Sequence, residues 1–403
     1  MTLLERYFQP NIAFAVVIAL ALSQYVILMA FIFGGSPDFV LGGDFIAFWS
    51  AAREVLDGNL TGLYTPDGLE AAIAAHRPGV DVSGLTWQYP PHASLIFSPI
   101  GYLPYEIAYA LWCALGLAFF TGVLIQTGVR GRWLIAALAT IPILIVLNTG
   151  QNALFTGGLL LLAVTYAKPK PVLAGVAAAL LTVKPQLGFL LPVVFIVNGH
   201  WRAFGVAALA SLALWAASFI ILGGGAWAAF FGFVGTVGEA VSDGVMPLFK
   251  MVNVYAAARL AWLPDLVAAA LAISAILMAI AALVWTCRRT DEPAWHYAVL
   301  ATGTLLAAPY SMYYELVLLV PAIIFLLQQG ARTGWLSWER EMIACMALLT
   351  LIVPGPAVQF GVSISFITCA LVAWSVFRRV RHAFSAKNDE TAAQIGTPQP
   401  AAH

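Results

Sequence analysis

Long apolar segments follow one another through most of this 403-residue chain, separated by short polar turns. Hydrophobic residues make up 62% of the chain and charged residues only 9%, which is more apolar surface than a soluble protein of this size needs. Apolar segments of about 17–25 residues are long enough to cross a bilayer as α-helices. The sequence therefore predicts an all-α, polytopic integral membrane protein.

We predict about twelve transmembrane helices, and we expect the first to be retained because no obvious signal-peptide cleavage site follows it. Several segments are short for a full crossing, so we expect them to be tilted, partly buried or joined by tight turns. The predicted helices are residues 11–33, 105–127, 133–147, 153–167, 171–183, 187–198, 203–222, 266–286, 295–308, 316–328, 341–353 and 360–377.

The distribution of charge predicts the direction of the chain through the membrane. If both termini are cytoplasmic, only five of the 19 basic residues fall outside, whereas most acidic residues do. Those five basic residues are Arg53, Arg77, Lys184, Lys250 and Arg259. Two long loops, residues 34–104 and 223–265, then lie on the outer face. The polar tail, residues 381–403, is predicted to be disordered.

The first outer loop contains two short amphipathic segments, Phe45 to Leu56 and Leu69 to Ala75, which predict helices lying in the outer interface. Several aromatic residues nearby are typical of an interfacial belt. They are Trp49, Trp87, Tyr89, Tyr102 and Tyr105. Chemistry is therefore expected on the outer face of the membrane.

Composition excludes several classes of function. Net charge is zero and no basic tract occurs, so nucleic acid is not an expected partner. The four cysteines lie in or beside apolar segments without metal-ligand spacing, so we interpret them as small apolar residues. No nucleotide-binding motif is present, and an enzyme on the outer face has no access to cytoplasmic nucleotide sugars. Its activated donor would have to be carried by a lipid.

Asp44, in the segment Gly42-Gly43-Asp44-Phe45, is the first candidate for chemistry. A carboxylate at a membrane boundary is a functional-site candidate by default, and two glycines allow a sharp turn close to a ligand. The alternative is that Asp44 only caps the helix that follows it.

Two further clusters offer aromatic rings and amides. Tyr64 and the run Thr86-Trp87-Gln88-Tyr89-Pro90-Pro91 suit the wall of a sugar pocket, or form only a stiff re-entry into the membrane. The turn Leu147 to Asn152 holds Asn148, Gln151 and Asn152. Amides at this depth cost free energy unless they are satisfied, although any polar turn would reverse the chain.

The fourth cluster is the segment Val183-Lys184-Pro185-Gln186. We favour Lys184 as the counter-ion of a phosphate over a snorkelling anchor, and Lys250 and Arg259 are expected to assist. Glu315, at another outer helix end, is either a partner of Lys184 or a helix-end charge. No set of metal ligands is evident.

These clusters, in this order, resemble the polyprenyl-phosphate-dependent glycosyltransferases of family 87, a group of the GT-C superfamily that contains bacterial α-mannosyltransferases. The resemblance covers about residues 38–200 and departs at Glu315, where many relatives have Asp. The matching elements are the Asp44 segment, Leu63-Tyr64, Tyr89-Pro90-Pro91, Pro99, Leu103-Pro104, Asn148 to Asn152 and Val183 to Gln186.

The resemblance implies a GT-C fold with a helical module over residues 1–200, including a catalytic loop at 34–104, and a variable module over residues 201–380. It implies a bacterial inner-membrane enzyme that transfers a hexose from a polyprenyl-phosphate donor, with inversion at the anomeric carbon and without a cofactor. The family favours mannose as this hexose. Asp44 matches the acidic residue of the first loop, the general base. The acceptor is expected to be a glycolipid, a polysaccharide or a protein, and the residues do not decide between them. Membrane lipids are the other expected partners.

Two other functions compete with this one. A transporter or flippase also has many helices, but the halves show no repeat and the polar residues gather at one face. A lipid-linked glycan polymerase or ligase would use the same kind of donor and needs a larger outer cavity.

Overall fold

The computed structural model describes residues 42–80, 85–242, 247–351 and 362–395, with side chains described in 42–80, 85–236, 247–350 and 362–384. These residues are helical almost throughout. An isolated antiparallel bridge, Met251 to Met312, is the only strand-like pairing among them. The predicted all-α class is confirmed, whereas the predicted helix at 11–33 lies outside the described residues.

The described chain contains eighteen α-helices and five 3₁₀ turns. The α-helices are α1 Phe45–Leu56, α2 Gly68–His76, α3 Pro91–Phe97, α4 Tyr105–Gln126, α5 Arg132–Leu138, α6 Ile141–Thr149, α7 Ala153–Thr165, α8 Pro171–Leu180, α9 Pro185–Gly188, α10 Leu191–Val197, α11 Trp201–Leu222, α12 Gly224–Ser242, α13 Val254–Leu260, α14 Asp265–Cys287, α15 Pro293–Ala307, α16 Leu319–Thr333, α17 Glu339–Leu351 and α18 Ile364–Ile395. The 3₁₀ turns are Leu60–Leu63, Ser98–Tyr102, Leu181–Val183, Leu248–Lys250 and Tyr313–Leu318.

Four helical segments of the described residues are long and apolar enough to cross a membrane. They are Tyr105–Gln126, Trp201–Leu222, Asp265–Cys287 and Tyr313–Thr333. A fifth span results if α5 and α6, which meet at a bend of 46°, count as one. A membrane-embedded protein is therefore supported, but twelve spans are not.

Short helices account for much of the difference. The predicted spans at 153–167, 171–183 and 187–198 correspond to apolar helices of 10–17 residues. At about 1.5 Å per residue, a helix of this length does not cross a hydrocarbon core of about 30 Å unaided. Several of their side chains, including Leu160, Ala174 and Phe195, pack into the main hydrophobic core. Apolar composition here reflects burial in protein.

The first outer loop forms a core of its own. Helix α1 buries Phe45, Phe48 and Trp49, and the ring of Phe48 lies 5.8 Å from that of Trp87 and 5.5 Å from that of Trp112 on α4. The helices predicted near 45–56 and 69–75 are present as α1 and α2. Aromatic packing anchors α1 to the N-terminal part of α4, so α1 is part of a folded core and not an isolated interfacial helix.

The aromatic belt is accordingly smaller than the sequence predicts. Trp49, Trp87 and Tyr105 are buried in the loop core, and only Tyr102, with 76% of its surface exposed, remains fully available to an interface. Aromatic rings are favourable both at a membrane interface and in a protein core, so the sequence pattern alone does not distinguish an interfacial belt from a buried core.

The last helix corrects the prediction of a disordered tail. Helix α18 continues to Ile395, so residues 381–395 are helical. Alanine, lysine and glutamate in this stretch favour helix, and the first proline after it is Pro398.

Candidate functional site

Two glycine-containing turns pack against one another. One turn precedes Asp44, and the other is Leu147 to Asn152, called here the amide turn. Gly42 and Gly43 have φ angles of +84° and +42°, and Gly150 ends α6 at +63°. A Cβ added at Gly150 would lie 2.4 Å from Cβ of Phe45 and 3.1 Å from the carbonyl oxygen of Gly42. The glycines therefore allow one backbone turn to approach another, a role the sequence did not assign to them.

Asp44 begins α1 but does not cap it. No side-chain capping hydrogen bond forms at Asp44. Instead Gln151 donates from Nε2 to Oδ2 of Asp44 at 2.7 Å, joining positions 107 apart in the chain. Asp44 remains partly exposed. The side chain therefore does not act as a helix cap, and its partial exposure leaves it accessible to a ligand.

Helix α4 holds the amide turn in place. Tyr109 donates its hydroxyl to the carbonyl oxygen of Leu147 at 2.6 Å, and Trp112 donates Nε1–H to the carbonyl oxygen of Gly150 at 3.0 Å. The orientation of Gln151, and through it that of Asp44, is fixed by a rigid membrane helix.

Replacing Gly150 with Ala is expected to lower activity strongly, because the new methyl group would overlap Phe45 and push the two turns apart. The cost should combine a left-handed φ with a steric clash, on the order of 1–3 kcal/mol for the backbone alone. Gly131→Ala is the matched control, since Gly131 has a φ of +55° and nothing within 4 Å of an added Cβ. Equal losses of activity and thermal stability in the two variants would contradict the close approach of the turns.

A buried ion pair forms the second part of the site. Lys184 Nζ lies 2.9 Å from Oε1 of Glu315, and the two residues are 4% and 1% exposed. Oε2 of Glu315 accepts the backbone N–H of Met312 at 3.3 Å. The aromatic ring of Tyr314 lies 4.9 Å from Nζ. Lys184 is therefore no snorkelling anchor, and of the two interpretations of Glu315 the partner of Lys184 is the one observed.

Tyr89 connects the ion pair with Asp44. Its ring lies 5.7 Å from Nζ of Lys184. Burial raises the pKa of the Tyr89 phenol well above its usual value, and the carboxylates of Glu315 and Asp44 raise it further. The phenol therefore stays protonated and able to donate a hydrogen bond. Tyr89, Lys184 and Asp44 belong to one electrostatic environment.

The amide turn offers unused hydrogen-bonding atoms to this environment. Oε1 of Gln151 and both polar atoms of the Asn152 amide are buried without a hydrogen-bond partner in the described structure. Asn152 lies close enough to Tyr89 to influence its pKa, but at no geometry that completes a hydrogen bond. Such atoms are costly unless a ligand or water satisfies them.

Tyr64, Trp87 and Gln88 were also predicted to bind substrate, but their side chains form hydrogen bonds to other protein atoms. Tyr64 donates its hydroxyl to the carbonyl oxygen of Tyr89 at 2.9 Å. Trp87, 1% exposed, donates Nε1–H to Oγ of Ser94 at 3.0 Å. Gln88 donates Nε2–H to Oγ1 of Thr86 at 2.9 Å. Tyr64 thus fixes the backbone at Tyr89 and Trp87 is tied to Ser94 on α3, and both residues are too buried to offer an open ring face.

Four further residues were predicted to bind substrate: Asn148, Gln186, Lys250 and Arg259. Asn148 and Gln186 are half-buried. Lys250 ends a 3₁₀ turn beside the Met251–Met312 bridge, which places its segment next to that of Glu315. Arg259 lies 3.9 Å from Asp265. Within the described ranges, no hydrogen bond or ion pair joins Asn148, Gln186 or Lys250 to the side chain of Asp44 or Lys184.

His92, on α3, was not singled out by the sequence. It is 1% exposed, and its ring stacks on that of Trp227 with centroids 5.8 Å apart. Nε2 lies 3.1 Å from Oγ1 of Thr182, two residues before Lys184. A lone histidine after two prolines carries no local signal, because its partners lie 90 or more positions away.

His92 predicts a pH dependence of stability. Burial lowers the pKa of His92 to about 4, against about 6.5 in an unfolded chain. As pH falls from 6.5 towards 4, the unfolded state takes up a proton that the folded state does not, so stability falls by up to about 3 kcal/mol. Thermal midpoints at pH 7 and pH 4.5 should differ less in His92→Gln than in the parent protein. An equal difference in both would contradict a neutral, buried His92.

One group of three possible metal ligands occurs among the described residues. Glu54, Asp57 and His76 have ligand atoms within 4.8 Å of one another, and His76 Nε2 lies 2.8 Å from Oε1 of Glu54. Glu54 lies ten residues beyond Asp44 on the same helix, about 15 Å along its axis. A metal held there would lie far from the Asp44 carboxylate.

Comparison with known proteins gives one match. The sequence model described as glycosyltransferase family 87 matches residues 87–309, more than half of the chain. The matched region contains Tyr89, the amide turn and Lys184, but it begins after Asp44 and ends before Glu315. Neither a curated protein nor a solved structure matches the chain.

Proposed function

Because this chain belongs to glycosyltransferase family 87 and is a membrane glycosyltransferase, we propose that it transfers a hexose from a polyprenyl-phosphate donor to an acceptor hydroxyl at the outer face of a bacterial inner membrane. One observation carries this proposal. The partly exposed carboxylate of Asp44, oriented by Gln151, shares an environment with the buried Lys184–Glu315 pair through Tyr89.

Asp44 acts as the general base. An acceptor hydroxyl has a very high pKa, so it must lose its proton as it attacks the anomeric carbon, and a carboxylate within about 3 Å accepts that proton. The new bond forms from the acceptor oxygen to the anomeric carbon while the bond from that carbon to the phosphate oxygen breaks. A single displacement of this kind inverts the anomeric configuration.

Lys184 and Tyr89 hold the leaving phosphate. Glu315 already balances the charge of Lys184, so the pair contributes oriented N–H donors more than net positive charge. Tyr89, kept protonated by its surroundings, supplies a further donor. Donors fixed before the reaction stabilise charge that grows on the departing oxygen without reorganisation. No metal or cofactor enters this scheme.

The amide turn binds the sugar. Hydroxyl groups of a hexose both donate and accept hydrogen bonds, which matches the unpaired oxygen of Gln151 and the unpaired amide of Asn152. A site built to pair with these hydroxyls discriminates against sugars that lack one. Mannose is the hexose that the family resemblance favours.

The donor class is tested by assaying the purified protein in lipid vesicles with matched labelled donors. We expect transfer from mannosyl polyprenyl phosphate and none from a nucleotide-activated mannose. Label that accumulates in long repeating products would favour a polymerase, and label that crosses the vesicle membrane without forming a new glycosidic bond would favour a transporter. Turnover of the nucleotide sugar alone would overturn the proposal.

A further inference from the structure

Helix α13 ends in a turn at which a tryptophan occupies the position that glycine usually takes. The backbone N–H of Leu263 donates to the carbonyl oxygen of Ala258 at 3.1 Å, and that of Trp262 donates to the carbonyl oxygen of Arg259 at 3.0 Å. This pair of hydrogen bonds defines a Schellman motif, whose left-handed residue is most often glycine. Here that residue is Trp262, with a φ of +63°. A side chain at this φ costs free energy that glycine would not.

Packing against the protein does not explain why a tryptophan stands there. The side chain of Trp262 is 91% exposed and makes no hydrogen bond or ring contact within the described ranges. Leu266, at the start of α14, is 82% exposed. The exposed apolar surface continues along α14, which is a candidate membrane span, through Val267, Leu271, Ile273, Leu277 and Met278. Trp262 therefore lies at the end of a surface that suits contact with lipid.

A membrane interface is the environment that suits this turn. The indole combines a large apolar ring with an N–H donor, so it is favourable at the boundary between hydrocarbon and headgroups. Charged atoms of Arg259 and Asp265 lie 3.9 Å apart beside it, and at that boundary both charges stay hydrated. In water alone, the exposed indole would offset none of the cost of its backbone conformation.

Hydrogen bonds hold the other end of α13 against the segment that precedes Glu315. The side chain of Asn253 accepts from the backbone N–H of Ala256 at 2.8 Å and donates to the carbonyl oxygen of Pro309 at 3.2 Å. The backbone N–H of Val252 donates to the carbonyl oxygen of Ser311 at 2.9 Å. Val252 and Asn253 are buried, so α13 and this segment form one packed unit.

The same segment holds the buried ion pair. Met251 forms an antiparallel bridge with Met312. The backbone N–H of Met312 donates to Oε2 of Glu315 at 3.3 Å, and Oε1 of Glu315 pairs with Lys184. Contacts are thus continuous from the turn at Trp262 to the ion pair, and the depth of one in the membrane fixes the depth of the other.

We propose that Trp262 inserts into the outer boundary of the membrane and thereby sets the depth at which the Lys184–Glu315 pair meets the phosphate of the lipid donor. The hydrocarbon chain of such a donor stays in the membrane, so its phosphate lies among the headgroups. A pair held at that level reaches the phosphate without drawing the lipid out of the bilayer. The depth-setting role rests on the proposed function, whereas the insertion of Trp262 does not.

Spin labelling measures the insertion without turnover. A nitroxide at Trp262→Cys is compared with one at Asp67→Cys, an exposed position of the first outer loop. Both are measured in phosphatidylcholine vesicles, with Cys113 and Cys345, the cysteines that are not buried, replaced by serine. The ratio of collisions with oxygen to collisions with a water-soluble nickel chelate should be at least about threefold higher at position 262, because an interfacial residue lies beside hydrocarbon. Equal ratios would overturn the insertion.

Two matched variants test the depth-setting role. Trp262→Gly removes the indole and keeps a backbone conformation that glycine adopts readily, so the thermal midpoint should not fall. Trp338→Gly is the control, since Trp338 also has a positive φ, +64°, and is 72% exposed, but it precedes α17 and takes no part in the contacts that lead to Glu315. In vesicles, Trp262→Gly should raise the requirement for mannosyl polyprenyl phosphate about fivefold or more, and Trp338→Gly should not.

A water-soluble donor with a short isoprenoid chain separates the outcomes. Its phosphate is not confined to one depth, so both variants should use it as well as the parent does. An unchanged requirement for the long-chain donor in Trp262→Gly would overturn the depth-setting role, as would an equal loss with both donors. A parent protein that uses neither donor would count against the proposed function and end the depth-setting role with it. The spin-label comparison would still decide the insertion of Trp262.

Discussion

Replacing Asp44 with Asn is expected to lower transfer by about 10²–10⁴-fold while the fold and donor binding persist. The amide has the shape of the carboxylate but cannot take the acceptor proton. Its oxygen can still accept the hydrogen bond that Gln151 donates at 2.7 Å, so the two turns should keep their positions. Initial rates with saturating donor, together with a thermal midpoint for each protein, measure the effect.

Asp57→Asn is the matched control for this variant. Asp57 follows the other end of α1, and 43% of its side chain is exposed. The same substitution there should leave the rate unchanged. If Asp44→Asn retains more than about a tenth of the parent rate, or if its loss is explained by a collapsed thermal midpoint, Asp44 is not the base.

Replacing Lys184 with Ala is expected to destabilise the protein by about 3–5 kcal/mol, because Glu315 is left as a buried charge without its partner. Glu315 would retain only the backbone N–H of Met312. A lowered thermal midpoint in detergent measures this loss. On its own it does not reveal a role in binding phosphate, since any buried ion pair behaves in this way.

A paired replacement separates stability from donor binding. Exchanging Lys184 for Met and Glu315 for Leu removes both charges, which is often neutral for stability. This double variant should fold but require at least tenfold more donor, with the acceptor requirement little changed. The buried pair of Arg379 and Glu339 is the control, because its replacement by Met and Leu removes charges outside the proposed site. Unaltered donor affinity in the Lys184–Glu315 double variant would separate this pair from the phosphate.

The sequence predicted the grouping of the site better than its geometry. Charge asymmetry and the order of the clusters placed Asp44, Gln151, Lys184 and Glu315 on one face, and the contacts at 2.7 and 2.9 Å join these residues across 107 and 131 positions. The sequence did not reveal that the Asp44 side chain makes no capping hydrogen bond at the start of α1. That outcome depends on the close packing of Gly42 and Gly150, which no local pattern encodes.

The number of spans was harder to predict for a physical reason. Lipid tails and a protein core are equally apolar, so segments such as α7 and α8 have the same composition whether they face lipid or other helices. The aromatic residues present the same difficulty. The sequence predicted Tyr64 and Trp87 to form the wall of a sugar pocket, whereas in the fold both side chains are buried. Tertiary packing decides between these outcomes.

A structure of the protein with mannosyl polyprenyl phosphate bound, using Asp44→Asn to prevent turnover, tests the central claim most directly. The proposed function predicts the phosphate within hydrogen-bonding distance of Lys184 or Tyr89, and the anomeric carbon facing residue 44 with room for one hydroxyl between them. A phosphate bound on the other side of the membrane, or a sugar separated from residue 44 by the packed aromatic core, would contradict it.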